Sequence, residues 1–351
     1  MFVYYQRKFV QIGGSEIFAL SFFEEVNNHK KCFLFSLYCS EKCKLYIKKN
    51  YNSIYKRLIT PSFSLAFLRF CLSFLFKKNI KIYFNYGLHE MFFLRIVFLR
   101  KIIYLAHDMF SYDEFKPISV KNINLLTKAR LKILGVVEKF FSDVFVLTKK
   151  SQKERLKLLN YKPKVFNAAI RNLNFFKHNS SKKFILSLGR LEKKKNVDLI
   201  IKTFEKINKT NPKLKLHICG DGSQMKNLKE IVRIKELSNN VSFFGFVSEK
   251  EKKLQIKNSL CIYCLDKADF DLVIWEALLQ AKPVICSNTM EIDSNFIKYN
   301  WIAKSKLNVN NIYRATKILL KKTRNIKVLK KLLNDYTFKN YLNKIEPNIN
   351  K

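Results

Sequence analysis

What most constrains this chain is the regular alternation of short apolar, β-branched or aromatic runs with longer amphipathic segments. That is the pattern of parallel sheets crossed by helices. In the first half it predicts strands at residues 2–5, 32–38, 80–85, 101–106 and 144–148, with a helix over 16–27. In the second half it predicts strands at 184–188, 213–219, 241–244, 260–265 and 283–287, and helices at 197–208, 224–238, 249–257 and 271–280. A further helix is expected from about residue 326, where Leu329, Leu332, Leu333 and Tyr336 recur at helical spacing.

A chain of 351 residues exceeds what one core usually holds. The polar stretch 176–183 divides the two runs of alternation. The expected architecture is α/β: two doubly wound Rossmann-like domains facing across a cleft, 1–175 and 176–351, with a C-terminal helix able to cross back to the first. The apolar fraction of 48% supplies two cores and excludes a disordered chain.

The net charge of +40 selects anionic partners: phosphates, acidic membrane surfaces or nucleic acid. Nucleic-acid binding calls for a basic stripe interleaved with stacking aromatics. Here the cations are scattered over nearly every expected surface helix, so nucleic acid is not the expected partner. Eight cysteines without an apolar leader segment fit a reducing, cytoplasmic compartment. Cys261 and Cys264 lie inside an apolar run with no second pair at zinc spacing, which marks buried thiols rather than a metal site. Residues 61–76 and 91–105 are apolar and aromatic but interrupted by Arg69, Arg95, Arg100 and Lys101. They read either as core and surface helices or as segments lying in an anionic membrane interface on the inner face of a cytoplasmic membrane.

The chemistry concentrates after strand ends. Gly189 and Arg190 follow the strand 184–188, and Lys195 precedes the helix 197–208, so a turn and two cations are placed to hold a diphosphate. Gly220 and Gly222 flank Asp221 after the next strand, where glycine lets backbone approach a ligand or simply turn tightly.

Through Ser187-Leu-Gly-Arg-Leu191, Lys195, Asp198, Ile218-Cys-Gly-Asp-Gly222, Val241-Ser-Phe-Phe-Gly-Phe-Val247, and Phe270-Asp-Leu-Val-Ile-Trp-Glu-Ala277 followed by Pro283-Val284, the sequence resembles the family-four glycosyltransferases of GT-B fold. These are retaining enzymes that use nucleotide sugars. Gly13-Gly14-Ser15-Glu16 looks like their glycine loop, and His107-Asp108 like their His-Asp pair. The resemblance implies transfer of a sugar from a nucleoside diphosphate donor to a glycan or lipid-linked acceptor of a growing surface polysaccharide, of lipopolysaccharide, O-antigen or capsule type. It implies no metal or other cofactor. His107, Arg190 and Lys195 take catalytic roles, with Gly13, Gly14, Gly189, Gly220, Asp269, Phe270, Leu272, Val273 and Glu276 around the donor. Glu276 matches the second glutamate of the family's Glu-x7-Glu motif.

Three positions depart from that pattern. Ala268 replaces the first glutamate, with Asp269 one position out of register; Asp271 replaces the glycine after Phe270; Asn196 replaces a glycine after the lysine. The alternative these raise is a catalytically weak relative that partners another transferase.

Overall fold

Strands buried on both faces have no polar side to alternate with, so they read as unbroken apolar runs. Phe184–Leu188, Cys261–Cys264 and Val284–Ser287 come close to this, apolar but for Ser187 and Ser287, and all three are central strands of one parallel sheet. The computed structural model describes residues 184–345 apart from 269. In the first half it describes 2–59 with short gaps, 81–84, 102–106, short helical pieces within 129–140, and most of 142–165. The chain divides into two compact units, Met1–Arg171 with Phe338–Lys351, and Asn172–Thr337.

The first unit holds β1 (Phe2–Tyr5), β2 (Lys8–Phe9), β3 (Cys32–Phe35), β4 (Tyr38–Cys39), β5 (Leu58–Ile59), β6 (Lys81–Phe84), β7 (Ile102–Ala106), β8 (Ser142–Val146) and β9 (Lys164–Val165). Seven of them form a sheet ordered β5-β3-β1-β6-β7-β8-β9, and β2 pairs with β4. Every pairing is parallel. The single strand expected over 32–38 is thus two. The chain breaks at buried Ser36, whose hydroxyl donates to the Tyr38 carbonyl at 2.8 Å, and β4 leaves the main sheet to pair with β2.

The helix Gly14–His29 buries Phe18, Leu20, Phe22, Phe23 and Val26. The helix Phe338–Ile345 returns to it: the Phe338 ring meets those of Phe18 and Phe22 edge-on, centroids 5.4 and 5.5 Å apart. A buried aromatic cluster of this geometry adds to the area it removes from water.

The second unit holds β10 (Phe184–Leu188), β11 (Lys215–Cys219), β12 (Val241–Gly245), β13 (Cys261–Cys264), β14 (Val284–Ser287) and β15 (Ile302–Ser305), all parallel and ordered β12-β11-β10-β13-β14-β15. The edge strand β12 alternates burial with exposure as a half-covered strand should. The helix Val197–Asn208 lays Ile200, Ile201, Phe204 and Ile207 on the sheet beside Ile185, Leu216 and Ile218. The helix expected over 224–238 stops at Ile234. Glu236 takes a left-handed φ of 55° there, and Leu237 turns back to donate its amide to the Val232 carbonyl.

Candidate functional site

In the six-stranded sheet, the chain runs from β10 outward to β11 and β12, then crosses to β13 on the other side and continues to β14 and β15. The order reverses between β10 and β13, and in open α/β sheets ligands bind in the crevice at the carboxyl ends of the strands at that point. The residues there are those following β10 and those following β13.

After β10, Gly189 has φ 135° and donates its amide to the Cys219 carbonyl at 3.0 Å. The loop after β11 stacks directly on it: Leu191 donates to the Asp221 carbonyl at 2.8 Å, and Gln224 to that of Leu191 at 2.9 Å. Gly220, at φ 138°, is pressed so close that a side chain would overlap the Gly189 carbonyl, and one on Gly222 would lie 2.6 Å from that of Leu191. Of the two roles open to these glycines, the geometry displays one: backbone approaching backbone.

The chain then makes a short turn, Lys193–Lys195, and enters the helix through Asn196 at φ 52° and ψ 37°. This left-handed conformation explains the glycine found there in the resembling family. Asparagine is the side chain that best tolerates it. Here it also donates to the Leu265 carbonyl at 2.7 Å and that of Lys194 at 3.0 Å, tying the two crevice walls together.

That tie sets Lys195 between two carboxylates. Its ammonium lies 2.7 Å from Asp266 and 2.8 Å from Asp271. Burial alone would lower the lysine's pKa, but the two aspartates more than reverse this and hold it above the ordinary value of 10.5. Asp266 is itself fixed: it accepts from the Ala268 amide at 3.2 Å, and its carbonyl accepts from the Ser287 hydroxyl at 2.6 Å. Arg190, by contrast, is more than half exposed and pairs with Glu192 at 2.8 Å.

The second crevice wall leads into the helix Leu272–Leu279. Its first turn leaves amides unpaired within the helix and carries partial positive charge. Asp271 caps it, accepting from the Val273 amide at 2.9 Å while its other oxygen meets Lys195. Further along this helix, Glu276 accepts from Lys252 at 2.7 Å, and Lys252 also pairs with Glu249 at 2.9 Å. Burial pushes the Glu276 carboxyl above its usual range against the opposing pull of Lys252.

Of the residues singled out from the sequence, Gly189, Arg190, Lys195, Gly220, Phe270, Leu272 and Val273 fall on the loops and helix start around this crevice, and Glu276 follows on the same helix. Gly14 opens the helix Gly14–His29 of the first unit. Gly13, His107 and Asp269 lie outside the described residues, as do 61–76 and 91–101. Among the described residues no helix is long and apolar enough to cross a membrane. Cys261 and Cys264 are buried free thiols in β13.

Asp266 and Lys252 were not anticipated. Asp266 carried a readable signal: a carboxylate two residues beyond a fully buried strand, where a switch-point crevice has its wall. Lys252 carried none, because Glu276 is 24 residues away on the chain and the run Glu249-Lys-Glu-Lys-Lys253 reads as a solvated helix face.

Residues 170–334 match the family model described as Glycosyl transferases group 1. The chain is 27% identical over 124 residues to the poly(ribitol-phosphate) alpha-N-acetylglucosaminyltransferase of Staphylococcus aureus, covering 35% of this chain and 25% of that protein. It is 30% identical over 104 residues to the alpha-monoglucosyldiacylglycerol synthase of Streptococcus pneumoniae, covering 29% and 24%. The matched stretches thus span about a quarter of those relatives. Along its full length the chain resembles Anabaena Alr3699/HepE, solved in complex with UDP and glucose: TM-score 0.73, 14% identity, 99% of this chain and 98% of that one. The family match thus falls on the second unit, while the GT-B fold is shared along the whole chain.

Proposed function

We propose that this chain transfers a sugar from a nucleoside diphosphate donor to a growing cell-surface glycan, of lipopolysaccharide, O-antigen or capsule type, with retention of configuration. One observation carries the reading. At the switch point of the six-stranded sheet, an ammonium and a helix-start amide converge on a single anion, and here that anion is the Asp271 carboxylate. The names of the relatives and the UDP complex of the fold neighbour support the same chemistry.

The residues act as follows in this reading. Cleavage of the sugar–phosphate bond leaves a diphosphate whose growing charge is met by Lys195, by Arg190 swung from Glu192, and by the amides around Leu272 and Val273. Glu276 accepts from the ribose hydroxyls. Gly13, Gly14, His107 and Asp269 keep the donor and catalytic roles that the resemblance implies, with Asp269 standing in for the glutamate that Ala268 replaces. The acceptor attacks the face from which the diphosphate departs, and that phosphate takes the acceptor's proton. Fixed cations and amides do the work of a divalent ion, so chelators should leave transfer unchanged. The lipid-linked acceptor is met at an anionic membrane surface on the cytoplasmic side.

The test is a thermal-shift screen of the whole protein against UDP-, GDP-, ADP- and CMP-sugars, followed by a transfer assay with the donor that binds. A ligand at 100 times its dissociation constant stabilises by about 2.7 kcal/mol. Silence across the panel would favour the second reading, a non-catalytic partner of another transferase. The capture of Lys195 by two carboxylates favours that reading over the first only if no donor binds.

A further inference from the structure

We propose that Asp271 is an internal competitor for the donor: its carboxylate occupies the phosphate subsite and must be displaced before a nucleoside diphosphate can bind. The inference rests on the donor site just proposed and adds a control to it.

Three observations carry it. First, the two oxygens of Asp271 are divided as two oxygens of a phosphate would be, one on the Lys195 ammonium at 2.8 Å and one on the Val273 amide at 2.9 Å. The helix that supplies the amide is two turns long, and the side chain of Asp271 is only 10% exposed, so the contact is enclosed. Second, Asp266 already balances Lys195 from the other side at 2.7 Å. A diphosphate arriving with Asp271 in place would be a third anion on one ammonium, and like charges at such distances repel strongly outside bulk water. Third, the two carboxylates differ in place. Each accepts one backbone amide beside Lys195, that of Ala268 at 3.2 Å for Asp266 and that of Val273 at 2.9 Å for Asp271, but only the Val273 amide belongs to a helix start, where a phosphate is favoured. The two contacts of the Asp271 side chain are the very ones a phosphate would replace. Asp266 therefore keeps Lys195 in position while Asp271 leaves.

The expected consequence is a site whose affinity depends on charge brought by the ligand. A nucleoside gains nothing from displacing Asp271, whereas a nucleoside diphosphate exchanges one anion for a stronger one.

The test compares the full-length parent with Asp271→Asn and Asp271→Gly by titration calorimetry against UDP, GDP, ADP and the matching nucleosides. Unfolding midpoints confirm that each variant is folded. Asparagine keeps the cap on Val273 but releases the charge of Lys195; glycine releases both. The diphosphate that binds the parent should bind Asp271→Asn about 10- to 100-fold more tightly, the scale of one charge-assisted hydrogen bond, and Asp271→Gly at least as tightly. The nucleoside should bind all three proteins equally. Equal or weaker diphosphate binding in both variants overturns the inference and leaves the donor site standing, since the parent binds. Tightening of nucleoside and diphosphate alike also overturns it, because that reports general loosening. Absence of binding in all three proteins overturns the donor site and this inference together.

Discussion

Replacing Lys195 by alanine tests the centre of the site through stability alone. The substitution leaves Asp266 and Asp271, 7% and 10% exposed, as two carboxylates facing each other without a cation. Removing one partner of a buried ion pair costs about 3 to 5 kcal/mol, because the remaining charge is left uncompensated. The bond from the Val273 amide relieves part of the burden on Asp271, so the lower end, about 3 kcal/mol, applies. For a unit of this size that is a fall in Tm of roughly 6 to 12 °C.

The assay is thermal unfolding followed by circular dichroism, with a triple variant, Lys195→Ala with Asp266→Asn and Asp271→Asn, as its control. With no unpaired charge left, the triple variant should regain more than half of the loss. The lysine's pKa is raised above 10.5, so its contribution is complete below that value and is lost only as pH rises through the higher one. The difference between parent and Lys195→Ala that stems from the lysine should therefore be flat from about pH 7 to 9. A fall of less than about 1 °C, or a triple variant no more stable than the single one, would refute the account of the crevice.

Gly220→Ala should cost about 3 kcal/mol or more in urea titrations, because its side chain meets the Gly189 carbonyl at a φ that only glycine adopts readily; Gly189→Ala, with its nearest obstacle 4.0 Å away, should cost less. Burial lowers the Lys282 pKa from 10.5 to about 8, so the folded state sheds that proton first and stability should climb between pH 8 and 10.5, by up to about 3 kcal/mol. In Lys282→Met that climb should vanish when denaturation is repeated across the same range. Arg190→Ala should leave Tm within about 1 °C, since an exposed ion pair contributes little, yet nearly abolish sugar transfer in the donor assay.

Particular residues show what was legible in the sequence. The strand Phe184–Leu188 and the helix Val197–Asn208 agree with the sequence to the residue, because a short, mostly apolar run between polar flanks and a strong helical period are both clear signals. Strand β15 escaped notice: it is four residues long at a sheet edge, and its apolar and polar residues are mixed. Position 271 was recognised as a departure from a resembling family, but its effect was not. A charge next to an expected phosphate site reads as repulsion along the chain, and only the fold reveals that it grips Lys195 from 76 residues away. Asp266 is the opposite case: its place two residues beyond a fully buried strand is legible, but the partner it holds, Lys195, is 71 residues away and only the fold supplies it.

The seven described cysteines, all free and buried, give the protein an unplanned reporter of its own opening. Burial pushes Cys39 up to about 11 and Cys219, Cys261 and Cys286 up to about 12, and raises Cys264 as well. Only the thiolate attacks an electrophile, so at neutral pH these sulfurs are silent by chemistry as well as by enclosure. Each becomes an ordinary reactive thiol when its strand or helix opens. Alkylation measured residue by residue would then clock the local opening of β11, β13 and β14 separately from that of the first unit, in the native sequence.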